Sequence, residues 1–157
     1  MTSEEKQIFT RRITTANSTE MVVILYEMAL CYLQDAECAY EERNREEFRL
    51  AIRRTRGCIN ELMNSLHMEY EPAPALLQLY LYCVRKLALS DVKYEKSGLA
   101  EIKKVLEPLK DAYKSLSELN ESGPVMGNSQ TVYAGLTYGR DTLNEELVGA
   151  SNRGFFA

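Results

Sequence analysis

Residues 17–40 read NSTEMVVILYEMALCYLQDAECAY, and this stretch decides the fold. Asn17 stands where its side chain accepts a backbone N–H of a first helical turn, while Glu20, three residues on, reaches back to it. That is a capping box with Asn in the leading position. Met21, Leu25, Met28, Ala29, Tyr32, Ala36, Ala39 and Tyr40 then recur at three- and four-residue steps, predicting the buried face of a helix that runs to about Arg43. Val22, Ile24 and Leu33 fall elsewhere around the same cylinder. A helix with more apolar residues than one face uses is either deeply buried or keeps a second surface for a partner, and no helix of a four-helix bundle is fully central.

The pattern repeats downstream. Asn44 and Glu47 restate the cap spacing, and Phe48, Ile52, Thr55, Ile59, Leu62, Met63 and Leu66 carry a second helix to about Met68. The short connection predicts antiparallel neighbours. Gly57 lies inside this helix, where it costs about 1 kcal/mol relative to Ala, and a close helix crossing is the expected reason. Pro72 and Pro74 end one segment and suit the first turn of the next, which Leu76, Leu77, Tyr80, Cys83, Val84, Leu87 and Ala88 line. Here too Leu79, Leu81, Tyr82 and Leu89 lie off the stripe. Leu99, Ile102, Leu106, Leu109, Tyr113, Leu116 and Leu119 carry a fourth helix, which Pro108 is expected to bend near Lys104. The expected fold is all-α: an N-terminal arm over residues 1–16, an antiparallel up-and-down four-helix bundle over 17–119, and a C-terminal extension over 120–157 that holds six of the eight glycines.

Composition narrows the function. Nineteen Lys and Arg against 23 Asp and Glu leave a formal charge of −4, which gathers neither nucleic acid nor anionic lipid. No apolar run of about 18 residues occurs, and Met-Thr-Ser-Glu-Glu-Lys lacks a signal-peptide layout, so no membrane insertion and a cytoplasmic location are expected. Cys31, Cys38, Cys58 and Cys83 form no C-x-x-C pair and fit small apolar helix positions as reduced thiols. With His67 as the single histidine, neither a zinc site nor a di-iron Glu-x-x-His pair can be assembled, and no metal or cofactor is expected. A phosphotransfer role for His67 meets Glu69 and Glu71 beside it, where added negative charge is repelled. Glu41, Glu42, Glu46 and Glu47 read as solvated helix ends, and Arg49, Arg53, Arg54 and Arg56 as a basic helix edge without interleaved aromatics. No phosphate loop or nucleophile elbow is present, so the chain is not expected to be an enzyme. A groove for amphipathic helices, edged by adaptable Met side chains at Met21, Met28 and Met63, is the physically motivated expectation.

The motifs also bear a resemblance. Ile13-Thr14-Thr15-Ala16-Asn17-Ser18-Thr19-Glu20-Met21 is similar to the V-x-T-A-S-P-E-E-L entry of the FliS flagellar chaperones, and Leu25-Tyr26-Glu27-Met28-Ala29-Leu30 resembles their L-Y-D-G-A-L. Ile59-Asn60-Glu61-Leu62-Met63-Asn64-Ser65-Leu66 resembles I-x-E-L-x-x-S-L, Leu79 to Leu87 resembles L-Y-x-Y-x-x-R-R-L, and Leu109 to Tyr113 resembles L-x-x-A-W. Asn17-Ser18 replaces Ser-Pro, Glu27-Met28 replaces Asp-Gly, and His67 stands where Asp is common. The resemblance implies a chaperone that binds the disordered C-terminal segment of flagellin, blocks premature polymerisation and presents its cargo to the flagellar export gate. In that family a strand-like or helical N-terminal arm can cover the groove, and Ile8, Phe9 and Ile13 match the arm by position. Met21, Leu25, Met28, Ile59, Met63, Leu66, Tyr80 and Leu87 are the residues expected to meet the cargo.

The extension carries apolar anchors among its glycines, and Val132, Tyr133, Leu136 and Tyr138 are expected to lie over the groove as an intramolecular competitor. A monomer or weak homodimer is the expected state. The competing expectation is a generic helical interaction or regulatory module, including a phosphotransfer domain built on His67.

Overall fold

The computed structural model describes residues 1–120 and 123–125. Five helices and no strand occur among them: α1 Ser3–Thr15, α2 Ser18–Glu41, α3 Arg45–Asn64, α4 Pro72–Lys93 and α5 Ser97–Leu119. The expected capping box is present at α2, where Asn17 Oδ1 accepts from the Glu20 N–H at 2.8 Å and Glu20 Oε2 accepts from the Asn17 N–H at 2.9 Å. Asn44 caps α3 through the Glu47 N–H at 3.1 Å. Thr2 and Glu5 form a further capping box at α1, so the N-terminal arm is helical. Pro72 opens α4, and α5 runs unbroken through Pro108. The second predicted helix ends earlier than expected, at Asn64. Ser65 closes it by donating from its hydroxyl to the Leu62 carbonyl at 2.8 Å, and Leu66 to Tyr70 are non-helical, with a turn at Met68 and Glu69.

The helices pack as a ring. α2 lies against α3 and α5, α4 lies against the same two, and α1 packs on α2 alone. The ring encloses Tyr26, Ala29, Leu33, Ala36, Phe48, Ile52, Ile59, Leu62, Tyr80, Cys83, Leu87, Leu99, Ile102 and Leu106, nearly all without solvent contact. Each such Leu or Ile contributes about 1.5–3 kcal/mol relative to an exposed one. At the heart of the core the hydroxyls of Tyr26 and Tyr80 hydrogen-bond to each other, and the Tyr26 ring packs 5.7 Å from that of Tyr113. At the opposite end Tyr40, Phe48 and Tyr94 form an aromatic cluster with centroids 5.1–6.0 Å apart. Tyr94 holds φ 54°, a left-handed helix end normally given to glycine. Its ring packing in this cluster offsets a conformational cost of about 1 kcal/mol.

Two expectations are corrected. The stripe led by Met21 is only part of the buried surface of α2: Ala29, Ala36 and Ala39 lie in the ring, with Leu25, Met28, Tyr32 and Tyr40 packed against it, but Leu33 is fully buried there too and Ile24 is buried under α1, so neither is surplus. Gly57 marks no close crossing, because it is exposed and a Cβ there would meet nothing within 4 Å. Gly98 is the tight position, where an added Cβ would lie 2.7 Å from the buried Ser90 Oγ.

These two glycines are expected to respond with opposite signs. Gly57→Ala raises stability by about 0.5–1 kcal/mol through helix propensity, whereas Gly98→Ala lowers it by about 1 kcal/mol through overpacking. Urea denaturation followed by circular dichroism measures both.

Candidate partner-binding surface

An α-helix whose apolar residues recur at two different phases buries two faces, and α2 does so. One face enters the ring. The other carries Met21, Ile24, Met28 and Cys31, spaced by three, four and three residues, and α1 lies over it. Phe9 is the anchor of α1, 8% exposed, with Ile13 and Met1 beside it and Ala16 closing the end. Ion pairs rim the contact: Arg12 donates to Glu27, and the Met1 ammonium to Asp35. Ile8, on the outer side of α1, is 58% exposed.

The cover is thin. α1 has 13 residues, too short to persist as an isolated helix in water, and the apolar attachment of the segment is Phe9 and Ile13, with Met1 just ahead of the helix. Burying three such side chains contributes a few kcal/mol, much of which ordering the segment offsets. α1 is therefore held on α2 by a small margin, while the ring beneath it is complete without α1.

The expected site residues separate into three groups. Phe9, Ile13, Met21 and Met28 meet under α1. Leu66 and Tyr80 line an open cavity of about 340 Å³ at the end of the ring where α2 and α4 begin, together with Val22, Tyr70, Leu76 and Tyr113. Ile59, Tyr80 and Leu87 are core residues with at most 1% exposure, and Leu25 and Met63 pack half-buried against them. Sequence reading passed over Ile24 and Cys31 as members of the covered stripe; the spacing Met21, Ile24, Met28, Cys31 is the signal that identifies them. Single exposed leucines also occur on α4 and at the end of α5, where Leu79, Leu89, Leu116 and Leu119 are 39%, 53%, 53% and 80% exposed. Val132, Tyr133, Leu136 and Tyr138 lie outside the described residues.

The remaining polar candidates are accounted for locally. His67 sits in the turn after α3, its ring edge-on to Tyr70 at 6.2 Å, and not in mid-helix as phosphotransfer requires. The basic run divides: Arg49 pairs with Asp91 at 3.1 Å, Arg54 lies over the Tyr32 ring at 5.7 Å, and Arg53 and Arg56 are exposed. Glu41 pairs with Lys96. No group of three or more His, Cys, Asp or Glu residues able to hold a metal occurs among the described residues, and no helix among them is long and apolar enough to cross a membrane. Burial pushes the thiols of Cys58 and Cys83 up to about 11, and raises that of Cys31. Burial likewise lifts the Tyr80 hydroxyl to about 12, and burial together with the Tyr80 hydrogen bond raises Tyr26.

Residues 1–120 match the family model described as flagellar protein FliS. The chain belongs to the FliS family. A FliS relative, the flagellar secretion chaperone FliS of Bacillus subtilis (strain 168), is 26% identical over 102 residues, which cover 65% of this chain and 77% of the relative. FliS proteins are chaperones and not catalysts, and the chain is accordingly not an enzyme.

The burial pattern sets an order of thiol reactivity. With a thiol reagent near pH 8, exposed Cys38 is expected to react first and Cys58 and Cys83 only on unfolding. Phe9→Ala is expected to speed labelling of Cys31 by about tenfold, leaving the two core thiols unchanged; mass spectrometry of the labelled peptides reads this. The tyrosine pair predicts a pH dependence with a defined sign. A hydroxyl whose folded pKa lies above its unfolded value contributes its stability fully below about pH 10 and loses it as pH rises toward the folded value. Stability from denaturant titrations is therefore expected to fall between about pH 10 and 12, and the fall shrinks when Tyr26 and Tyr80 are both replaced by Phe.

Proposed function

We propose that this chain is a cytosolic flagellar secretion chaperone that binds the C-terminal segment of flagellin, prevents its premature polymerisation and presents it to the export gate. In this reading residues 17–119 form an antiparallel up-and-down four-helix bundle, residues 1–16 are a removable arm, and residues 120–157 are an accessory extension. The observation that carries it is the apolar outer face of α2, Met21, Ile24, Met28 and Cys31, covered only by the lightly held α1. An amphipathic cargo helix with apolar residues at three- and four-residue steps presents the same complement to this face as Phe9 and Ile13 do. The end cavity at Leu66 and Tyr80 receives a further cargo side chain, and Leu25 and Met63 edge the groove. Ile59 and Leu87 hold it from beneath.

Each cargo Leu or Ile buried contributes about 1.5–3 kcal/mol, and ordering a disordered segment offsets several kcal/mol of the total. The outcome is firm but reversible binding that requires no nucleotide. The family membership and the Bacillus subtilis relative's description support the chaperone role.

Calorimetric titration with a peptide spanning the flagellin C-terminal segment tests the reading. The full chain is expected to bind, deletion of residues 1–15 to tighten binding by about tenfold because the arm no longer competes, and Met28→Glu to weaken it at least tenfold with the helical signal unchanged. Failure of both the full chain and the deletion variant to bind the peptide overturns the proposal.

A further inference from the structure

An arm that leaves α2 must turn about the two residues joining it to that helix, Ala16 and Asn17. Both are buried, at 2% and 6% exposure, although they lie at a junction between helices where solvent normally reaches. Ala16 is packed into the cluster under α1 and Asn17 is engaged by Glu20, and Asn120 and Val125, beyond α5, add hydrogen bonds to both residues. The side-chain amide of Asn120 donates to Thr19 Oγ1 at 2.7 Å, and the Asn120 backbone carbonyl accepts from Asn17 Nδ2 at 3.5 Å. The Val125 N–H donates to the Ala16 carbonyl at 2.9 Å. Thus the residue before the cap of α2, the cap itself and the second residue of the helix are each tied to positions more than a hundred residues away.

The Ala16 carbonyl lies at the C-terminal end of α1, where no intrahelical donor is available, so the Val125 N–H meets a need of the hinge itself. The Val125 side chain is 64% exposed and adds little packing, which leaves the backbone hydrogen bond as its contribution.

We propose that Asn120 and Val125 form a clamp on the α1–α2 hinge, so that the chain after α5 sets how readily the arm opens. The clamp acts at the pivot and does not compete for the groove; the inference rests on the reading of α1 as a displaceable cover. A partner that draws the segment after α5 away from Ala16 thereby frees α1 without touching the apolar face of α2.

Native-state hydrogen exchange on the full chain, without flagellin, tests the clamp. Val125→Pro removes the N–H that Ala16 accepts, and Val125→Ala keeps it. With one hydrogen bond lost, the amides of Phe9 to Thr15 are expected to exchange about two- to tenfold faster in Val125→Pro than in wild type or Val125→Ala, with those of Ile59 and Leu87 unchanged. Combining it with Asn120→Ala is expected to extend the effect. Unchanged exchange of α1 in the double variant overturns the clamp, as does equal acceleration in Val125→Ala or acceleration spread through the core. Flagellin affinity is measured separately: faster α1 exchange with no binding to flagellin sustains the clamp and defeats the cargo reading, and binding with unaltered exchange does the reverse.

Discussion

Everything in this protein follows from α2 having to satisfy two apolar faces at once. Its inner face, with Tyr26, Ala29, Leu33 and Ala36, belongs to a ring of four helices whose interior is nearly dry. Its outer face, with Ile24 and Met28, would be open to water but for thirteen residues of helix laid across it. The first contact is shared among many large side chains on four elements and is in effect permanent. The second is made by one small helix with a single well-buried anchor, Phe9. Separate scales of stability on two sides of one helix are what allow a rigid body to carry a changeable surface.

How much of this was legible in the sequence depends on how local the cause is. The capping box at Asn17, the Asn44 cap, the proline start of α4 and the order of the elements are decided within a few residues, and they appear where the spacing placed them. The phase of α2 was harder. Met21, Leu25, Met28 and Tyr32 form an acceptable stripe by period alone, but a helix with neighbours on several sides has no single correct stripe, and only the placement of α1 shows which residues face which neighbour. Ile24 was for that reason read as surplus when it is the centre of the covered patch. The helical nature of the arm was similarly half visible: Thr2 and Glu5 form a cap that the apolar pattern of a 13-residue segment does not announce.

Gly57 illustrates the opposite error. A glycine inside a helix invites a packing explanation, yet open space surrounds it. Gly98, beside Ser90 of α4, is the one whose missing side chain the fold uses, and nothing in the local sequence distinguishes the two. The site residues divide in the same manner. Phe9, Met21 and Met28 converge because the arm is adjacent in sequence to the helix it covers. The ties from Asn120 and Val125 to the hinge join positions with no shared pattern, and only coordinates bring them together.

The connectivity of the ring has a kinetic consequence. The pairings α2 with α3, α3 with α4 and α4 with α5 join consecutive segments, and α2 with α5 is the one contact that closes over a long stretch of chain. Local pairings form quickly, while a distant closure waits on loop entropy. During synthesis the first three ring helices therefore precede the last, and Tyr26 and Leu33 stay partly wet until Leu99, Ile102 and Leu106 arrive. Because Asn120 sits at the end of that final helix, the ties at the hinge of the arm can form only when the ring has closed, so in a half-made chain α1 lies over its face of α2 without them.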